Sequence, residues 1–148
     1  MSIKTIIIAG IAFLSIYGSY SYRNADNIES LNSDGIHFFK GTFSEALIEA
    51  KKQDKFLFMN VYATWCIPCK HLKETTFKDE KAGAYFNSNF INVSIDADSR
   101  EGKKIVDKYA VRGYPTLLIL DARGNLIARN IGIQSPKKLI NFGKQILQ

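Results

Sequence analysis

The chain is predicted to fold as an α/β domain, a central mixed sheet with helices on both faces. Short apolar runs (Phe56 to Tyr62, Phe90 to Asp96, Thr116 to Leu120) alternate with segments of helical period. The last of these runs is followed by a glycine turn and one more strand, which makes a hairpin. A third observation places chemistry on that scaffold. Both cysteines of the chain lie in Trp65-Cys66-Ile67-Pro68-Cys69-Lys70, where the first buried run gives way to a polar, helix-prone stretch.

The first 22 residues differ in character from the rest. Ile6 to Ile16 is an eleven-residue stretch without charge, and Lys4 is the only charged residue before Arg23. That length suits a secretory h-region and is short for a span, which needs about 20 residues. Ser19 and Ser21 offer small residues for cleavage, so residues 1–21 read as a signal peptide or as an uncut N-terminal anchor, with cleavage favoured. No cysteine lies near the leader, which excludes a lipid-modified start. Either way the dithiol is expected in a periplasmic or other extracytoplasmic compartment, anchored to the membrane only if the segment stays uncut.

Residues 22–34 are rich in Asn, Asp and Ser and read as a linker, with the folded domain expected over residues 35–148. Ile36 to Phe39 reads as a short strand. Thr42 and Glu45 form a T-x-x-E capping box, and Phe43, Ala46, Leu47 and Ala50 share one face of the helix it opens. Lys55 to Ala63 is the buried strand that leads to the dithiol. The helix after Cys66 is expected to end near Thr75-Thr76, with another from about Asp79 to Asn87. After the strand Phe90 to Asp96, Asp98 and Glu101 read as a second capping box for a helix through Tyr109. Gly113-Tyr114-Pro115 breaks the chain before the strand Thr116 to Leu120. Gly124 turns it into Asn125 to Ile131. Ser135-Pro136 caps a last helix lined by Leu139, Ile140, Phe142, Ile146 and Leu147.

Composition narrows the class of function. With 148 residues, 46% hydrophobic and 23% charged, the chain is long enough for one packed domain and a leader. Its net charge of +6 is spread through isolated pairs such as Lys51-Lys52, Lys103-Lys104 and Lys137-Lys138. No basic block interleaves with aromatics, so no nucleic-acid partner is expected.

A cysteine at a helix N-terminus faces unpaired N–H groups and the positive end of the helix dipole. Such sites lower a thiol pKa from about 8.5 into a range of roughly 3.5–7.5. The i, i+3 spacing brings Cys69 near enough to Cys66 for a disulfide, and Pro68 falls in the first turn, where it loses no helical bond. Other readings of the pair are weaker. Structural zinc wants four ligands, and besides the two cysteines only His37 and His71 are at hand, at unsuitable spacing. A c-type haem site needs His directly after the second cysteine, where Lys70 stands. A purely structural bridge would close too short a loop to constrain much of the unfolded chain. Cu(I) carriage or redox-silent docking is the rival of another class, although no Met or His cluster flanks the pair. No metal and no cofactor is expected.

Trp65-Cys66-Ile-Pro-Cys69-Lys70, Tyr109-Ala-Val-Arg-Gly-Tyr-Pro-Thr116 and Gly132 stand in the order and at the distances of the thioredoxin superfamily, which the chain resembles from about Phe38 to Leu147. Lys55-Phe-Leu-Phe-Met-Asn-Val-Tyr-Ala-Thr-Trp65 and Lys73-Glu-Thr-Thr-Phe-Lys-Asp79 look most like the periplasmic C-terminal domain of DsbD-type thiol:disulfide interchange proteins. The resemblance implies a thioredoxin-like fold and an exported thiol-disulfide oxidoreductase. Cys66 is then the exposed nucleophile and Cys69 the buried resolving thiol of a redox-active disulfide. Pro115 is a cis-proline against that disulfide, and Trp65, Ile67, Tyr114 and Ile133 form an apolar rim with it that receives the partner. The partners implied are client proteins with disulfides or dithiols and an upstream membrane thiol reductant.

Two positions depart from the family. Asn60 replaces the buried aspartate six residues before the first cysteine, and Asn92 stands where thioredoxins carry lysine. An amide has no basic form near neutral pH, so resolution by Cys69 must use water or another base. Reduction is expected over oxidation or isomerisation, because Ile67-Pro68 lacks the histidine that stabilises the thiolate of strong oxidants.

Overall fold

The computed structural model describes residues 34–147. The expected leader, and all of the expected linker but Asp34, lie outside the described residues. Four strands, β1 (Phe56–Tyr62), β2 (Phe90–Asp96), β3 (Thr116–Leu120) and β4 (Leu126–Ile131), form one mixed sheet in the order β2-β1-β3-β4. β1 pairs in parallel with β2 and antiparallel with β3, and β3 pairs antiparallel with β4. Central β1 is covered on both faces, which is why its sequence reads as an apolar run without alternation.

Helices α1 (Phe43–Lys52) and α4 (Arg100–Lys108) cover one face. Phe43, Ala46 and Ala50 of α1 and Ile105 of α4 pack there against Leu57, Met59, Val61, Val93, Leu118 and Leu120. On the other face lie α2 (Ile67–Glu74), a short 3-10 turn (Thr76–Lys78), α3 (Glu80–Asn89) and α5 (Pro136–Lys144). Leu72, Phe77, Phe86, Leu139 and Phe142 pack there on Phe58, Leu117 and Ile119. The period of the sheet assigns the faces: odd positions of β1 go to α1 and α4, even positions to α2, α3 and α5.

The start of α1 is the expected box. Thr42 accepts from the Glu45 N–H, and the Glu45 carboxylate takes the Thr42 N–H at 2.7 Å. That N–H, and the Thr42 hydroxyl donating to the same oxygen, hold the Glu45 carboxyl below its ordinary pKa. Ser135 caps α5, and Asp79 caps α3. Among the described residues no helix is long and apolar enough to cross a membrane.

Three expectations need correction, and one element was unexpected. Ile36 to Phe39 is not a strand. The Ile36 N–H reaches the Phe77 carbonyl and the Phe39 N–H the Asn92 carbonyl, each at 2.7 Å, and between them side chains serve the backbone: Asn87 Oδ1 takes the His37 N–H and Asn92 Nδ2 meets the His37 carbonyl. Amides thus replace a ladder. Asp98 does not cap α4; Ser99 does, accepting from the Gly102 N–H at 2.9 Å, while Glu101 takes the Phe43 N–H. The 3-10 turn closes the step from α2 to α3 and was not expected from the pattern. Leu147 lies past the end of α5 and is exposed, so it does not line that helix.

The chain leaves α4 through a left-handed residue. Val111 N–H bonds the Val106 carbonyl and Ala110 N–H the Asp107 carbonyl, the paired bonds of a Schellman end. Arg129 adds its guanidinium to the Tyr109 and Ala110 carbonyls. Ala110 is exposed and has φ +48°, a conformation that glycine adopts freely. For an L-residue it costs about 1–2 kcal/mol. The freer unfolded chain of a glycine variant takes back about 0.4–1 kcal/mol of that. Ala110→Gly is therefore expected to raise the unfolding free energy by about 0.5–1 kcal/mol, read as a higher denaturant midpoint at unchanged slope. An unchanged or lower midpoint would contradict the local strain.

Candidate active site

Four loops meet at one end of the sheet. β1, β2 and β4 run toward that end and β3 starts from it, since β3 is antiparallel to both its neighbours. The loops carry Trp65-Cys66, Asp98, Tyr114-Pro115 and Gly132-Ile133. The C-terminal ends of strands are where α/β sheets usually bind their ligands.

Cys66 is the N-cap of α2. Its backbone is extended, and its Sγ accepts the Cys69 N–H at 3.2 Å. Serine, threonine or aspartate ordinarily fills this position. Here a sulfur does, bonded to Cys69 in a disulfide that joins Cα atoms 5.3 Å apart. Pro68 occupies the first turn, as expected. The Cys66 N–H is held by the Ala63 carbonyl at 3.1 Å, which fixes the cap at the end of β1.

The two cysteines do not differ in exposure as the resemblance implied. Cys66 is 4% exposed and Cys69 6%. Ala63 packs with the pair, and Tyr62 and Tyr114 pack against this group, so little of either residue reaches solvent. What distinguishes them is the N–H that Cys66 receives and Cys69 donates.

The Tyr114–Pro115 bond is cis, as expected. Thr116 Oγ1 donates to the Gly113 carbonyl at 2.6 Å, and the Gly132 N–H donates to the Pro115 carbonyl at 2.8 Å, so the turn is held from both sides. Trp65 stands edge-on to Tyr114 with ring centroids 5.9 Å apart, and its Nε1–H donates to Asp98 Oδ2 at 3.0 Å. Trp65, Ile67 and Ile133 are exposed at 66%, 78% and 47%. Tyr114 is half-buried and Pro115 buried. Trp65, Cys66, Cys69 and Tyr114 are thus in one packed group. Ile133 joins through its neighbour Gly132, while Ile67 projects from the first turn of α2.

The sequence reading missed Asp98 as the anchor of Trp65, since Asp98 and Ser99 are equally good caps on paper. It also missed Ile131, exposed at the end of β4 beside Gly113. The third omission is Ser94. Parallel pairing puts Ser94 opposite Asn60, and Asn60 Nδ2 donates to Ser94 Oγ at 2.9 Å. Aligning the two strands would have found it.

Asn60 is buried, and its Oδ1 has no hydrogen-bond partner. It lies in the wall of a cavity of about 420 Å³ that also contains Phe38, Tyr62, Thr64, Cys69, Lys70, Lys73, Phe77 and Ser94. Asn92 is elsewhere engaged: its amide holds His37 and Asn87. His37 and His71 are both exposed and far apart in role, His37 bonded through its backbone to Asn87 and His71 accepting Thr75 at the end of α2.

Residues 43–147 match the family model described as a thioredoxin-like domain. The thiol:disulfide interchange protein DsbD of Colwellia psychrerythraea is 30% identical over 115 residues, which are 73% of this chain and 19% of that protein. DsbD of Yersinia pestis is 33% identical over 79 residues, 53% of this chain and 13% of that protein. The matches therefore span under a fifth of the length of these relatives. A solved structure of a proposed disulphide-isomerase from Bacteroides thetaiotaomicron is 38% identical, with a TM-score of 0.69 over 79% of this chain and 97% of that one. The oxidised DsbD C-terminal domain of Neisseria meningitidis shares the fold, with a TM-score of 0.59 at 21% identity over 69% of this chain and 90% of that one. The chain belongs to the thioredoxin-like family, with DsbD-like sequence in its core.

Proposed function

We propose that the protein is an exported reductase of disulfides in client proteins. The observation that carries this reading is the Cys69 N–H aimed at Cys66 Sγ, at the start of a helix. Once the pair is reduced, that N–H and the helix dipole favour a Cys66 thiolate. The thiolate attacks a client sulfur and displaces its partner sulfur, which leaves as a thiolate. Cys69 then attacks Cys66, closing the disulfide and releasing the reduced client. Trp65, Ile67, Pro115 and Ile133 form the apolar rim on which the client strand lies, and the Tyr114 backbone pairs with it.

The N-terminal segment supports export: residues 1–21 act as signal peptide or anchor and residues 22–34 as linker to the domain at 35–148. An upstream membrane thiol reductant would return electrons to the pair. Isomerase activity is the second reading, favoured by the description of the Bacteroides thetaiotaomicron protein.

Capture in cells separates the roles of the two thiols. Cys69→Ser is expected to accumulate mixed disulfides through Cys66 with exported proteins, and Cys66→Ser to capture none and to lose reductase activity. Equal capture by both variants would remove the assignment. The direction of transfer is read by equilibration with glutathione. A potential nearer about −270 mV than about −120 mV is expected, since proline precedes Cys69 and no histidine separates the thiols. A value above about −150 mV would make the protein an oxidant.

A further inference from the structure

The cavity beside Cys69 has a composition suited to one step of that cycle. When Cys69 resolves the mixed disulfide it must first lose its proton, and burial opposes the thiolate. Inside proteins the usual remedy is a nearby base. The cavity wall offers none: its titratable side chains besides Cys69 are Tyr62, Lys70 and Lys73, with no carboxylate and no histidine. It offers two cations instead, Lys70 and Lys73, from exposed positions three residues apart on α2, the helix that carries Cys69.

The second observation is the unpartnered Asn60 Oδ1. A buried carbonyl oxygen without a donor costs about 1–3 kcal/mol, which a water entering from the cavity would relieve. Asn60 Nδ2 is committed to Ser94 Oγ, and its buried oxygen, an acceptor, has no partner. The volume is ample for several waters. Lys70 and Lys73 reach it from the solvent side, where small bases can follow.

We infer that this cavity is the exit for the Cys69 proton, which passes directly to water or to a small solvent base, with Lys73 and Lys70 stabilising the thiolate left behind. The inference rests on the reductase reading above. In the step, the Cys69 S–H bond breaks and its proton goes to the base in the cavity. The electron pair of the thiolate forms the Cys66–Cys69 bond, and the Cys66–client bond breaks. Its electron pair leaves on the client sulfur, which is protonated from solvent. The client disulfide is reduced and the dithiol oxidised, and no other redox agent is needed. Lys73 is a positioning residue in this account, acting through charge on a thiol that it does not itself deprotonate.

Two measurements on the full protein test the route. In the reduced Cys66→Ser variant, the ultraviolet absorbance of the thiolate reports the Cys69 pKa without any client. Lys73→Glu is expected to raise that pKa by roughly one unit, and Lys73→Arg to leave it in place. Stopped-flow release of a disulfide-linked model peptide then reads the step itself. Below the Cys69 pKa the rate is expected to rise about tenfold per pH unit and, at fixed pH, to increase with imidazole as the small base. Lys73→Glu should slow release about tenfold near neutral pH and match wild type at pH well above the pKa. Asn60→Asp, which places a base inside, should flatten the profile and abolish the imidazole effect. Wild-type release that is flat with pH and insensitive to imidazole would overturn the route, as would a Cys69 pKa unmoved by Lys73→Glu. Capture by Cys69→Ser stands apart from both results, so a failed proton route and a failed reductase reading are told apart.

Discussion

The N–H of Cys69 points at the sulfur of Cys66, and a thiolate there gains what a serine oxygen gains at an ordinary cap, with a full charge added. A charge at a helix N-terminus is worth about 0.3–1 kcal/mol, and up to about 2 where partly buried. A hydrogen bond to a charged group adds about 1.5–3 kcal/mol. Each 1.36 kcal/mol is one pKa unit, and both act against the upward shift that the burial imposed by Tyr114 and Ala63 favours. The rest of the site serves this contact. β1 ends where the cap must stand, Pro68 keeps the first turn without loss of a bond, and the loop before β3 closes over the pair.

The sheet explains why such a site can be both rigid and accessible. Its apolar residues fill two layers, and on the α2 side Asn60 and Ser94 face each other toward the end where the loops meet, with Asn92 further back, opposite Phe58. Asn92 spends its amide N–H groups on the segment that precedes α1 and on Asn87, and its Oδ1, like that of Asn60, has no partner. Of the two buried amides on this face, one ties down backbone that forms no ladder and the other lines the cavity beside Cys69. Trp65 is exposed yet held at both its edge and its nitrogen, by Tyr114 and Asp98. That combination gives an apolar contact surface with little orientational freedom to lose on binding.

Much of this was legible in the sequence. The expected bounds of Phe90–Asp96 and Thr116–Leu120 coincide with β2 and β3, because both are short apolar runs bounded by a cap signal or a proline. The Thr42–Glu45 box and Ser135-Pro136 locate α1 and α5 for the same reason: each motif satisfies N–H groups through bonds that depend only on local order. The dithiol at the strand-to-helix step and the cis bond at Pro115 were also legible, the second through family resemblance. What escaped depends on distant residues. Ile36 to Phe39 has the pattern of a strand, but the Phe77 carbonyl and the side chains of Asn87 and Asn92 take its backbone groups instead of a ladder. Asp98 and Ser99 are both good caps, and the position of Trp65 settles which is free. Local pattern likewise says nothing of the exposure of Cys66, which Tyr114 covers from more than forty residues away.

The central claim is that α2 and its first N–H groups make Cys66 the thiolate of the pair. Its most direct test is a pH titration of Cys66 in the reduced protein, following the rate of alkylation at each cysteine separately by mass of the labelled peptides. The account predicts a Cys66 pKa at least about one unit below the ordinary 8.5, with Cys69 titrating well above it. A Cys66 pKa at or above about 8.5, or a Cys69 that ionises first, would contradict it.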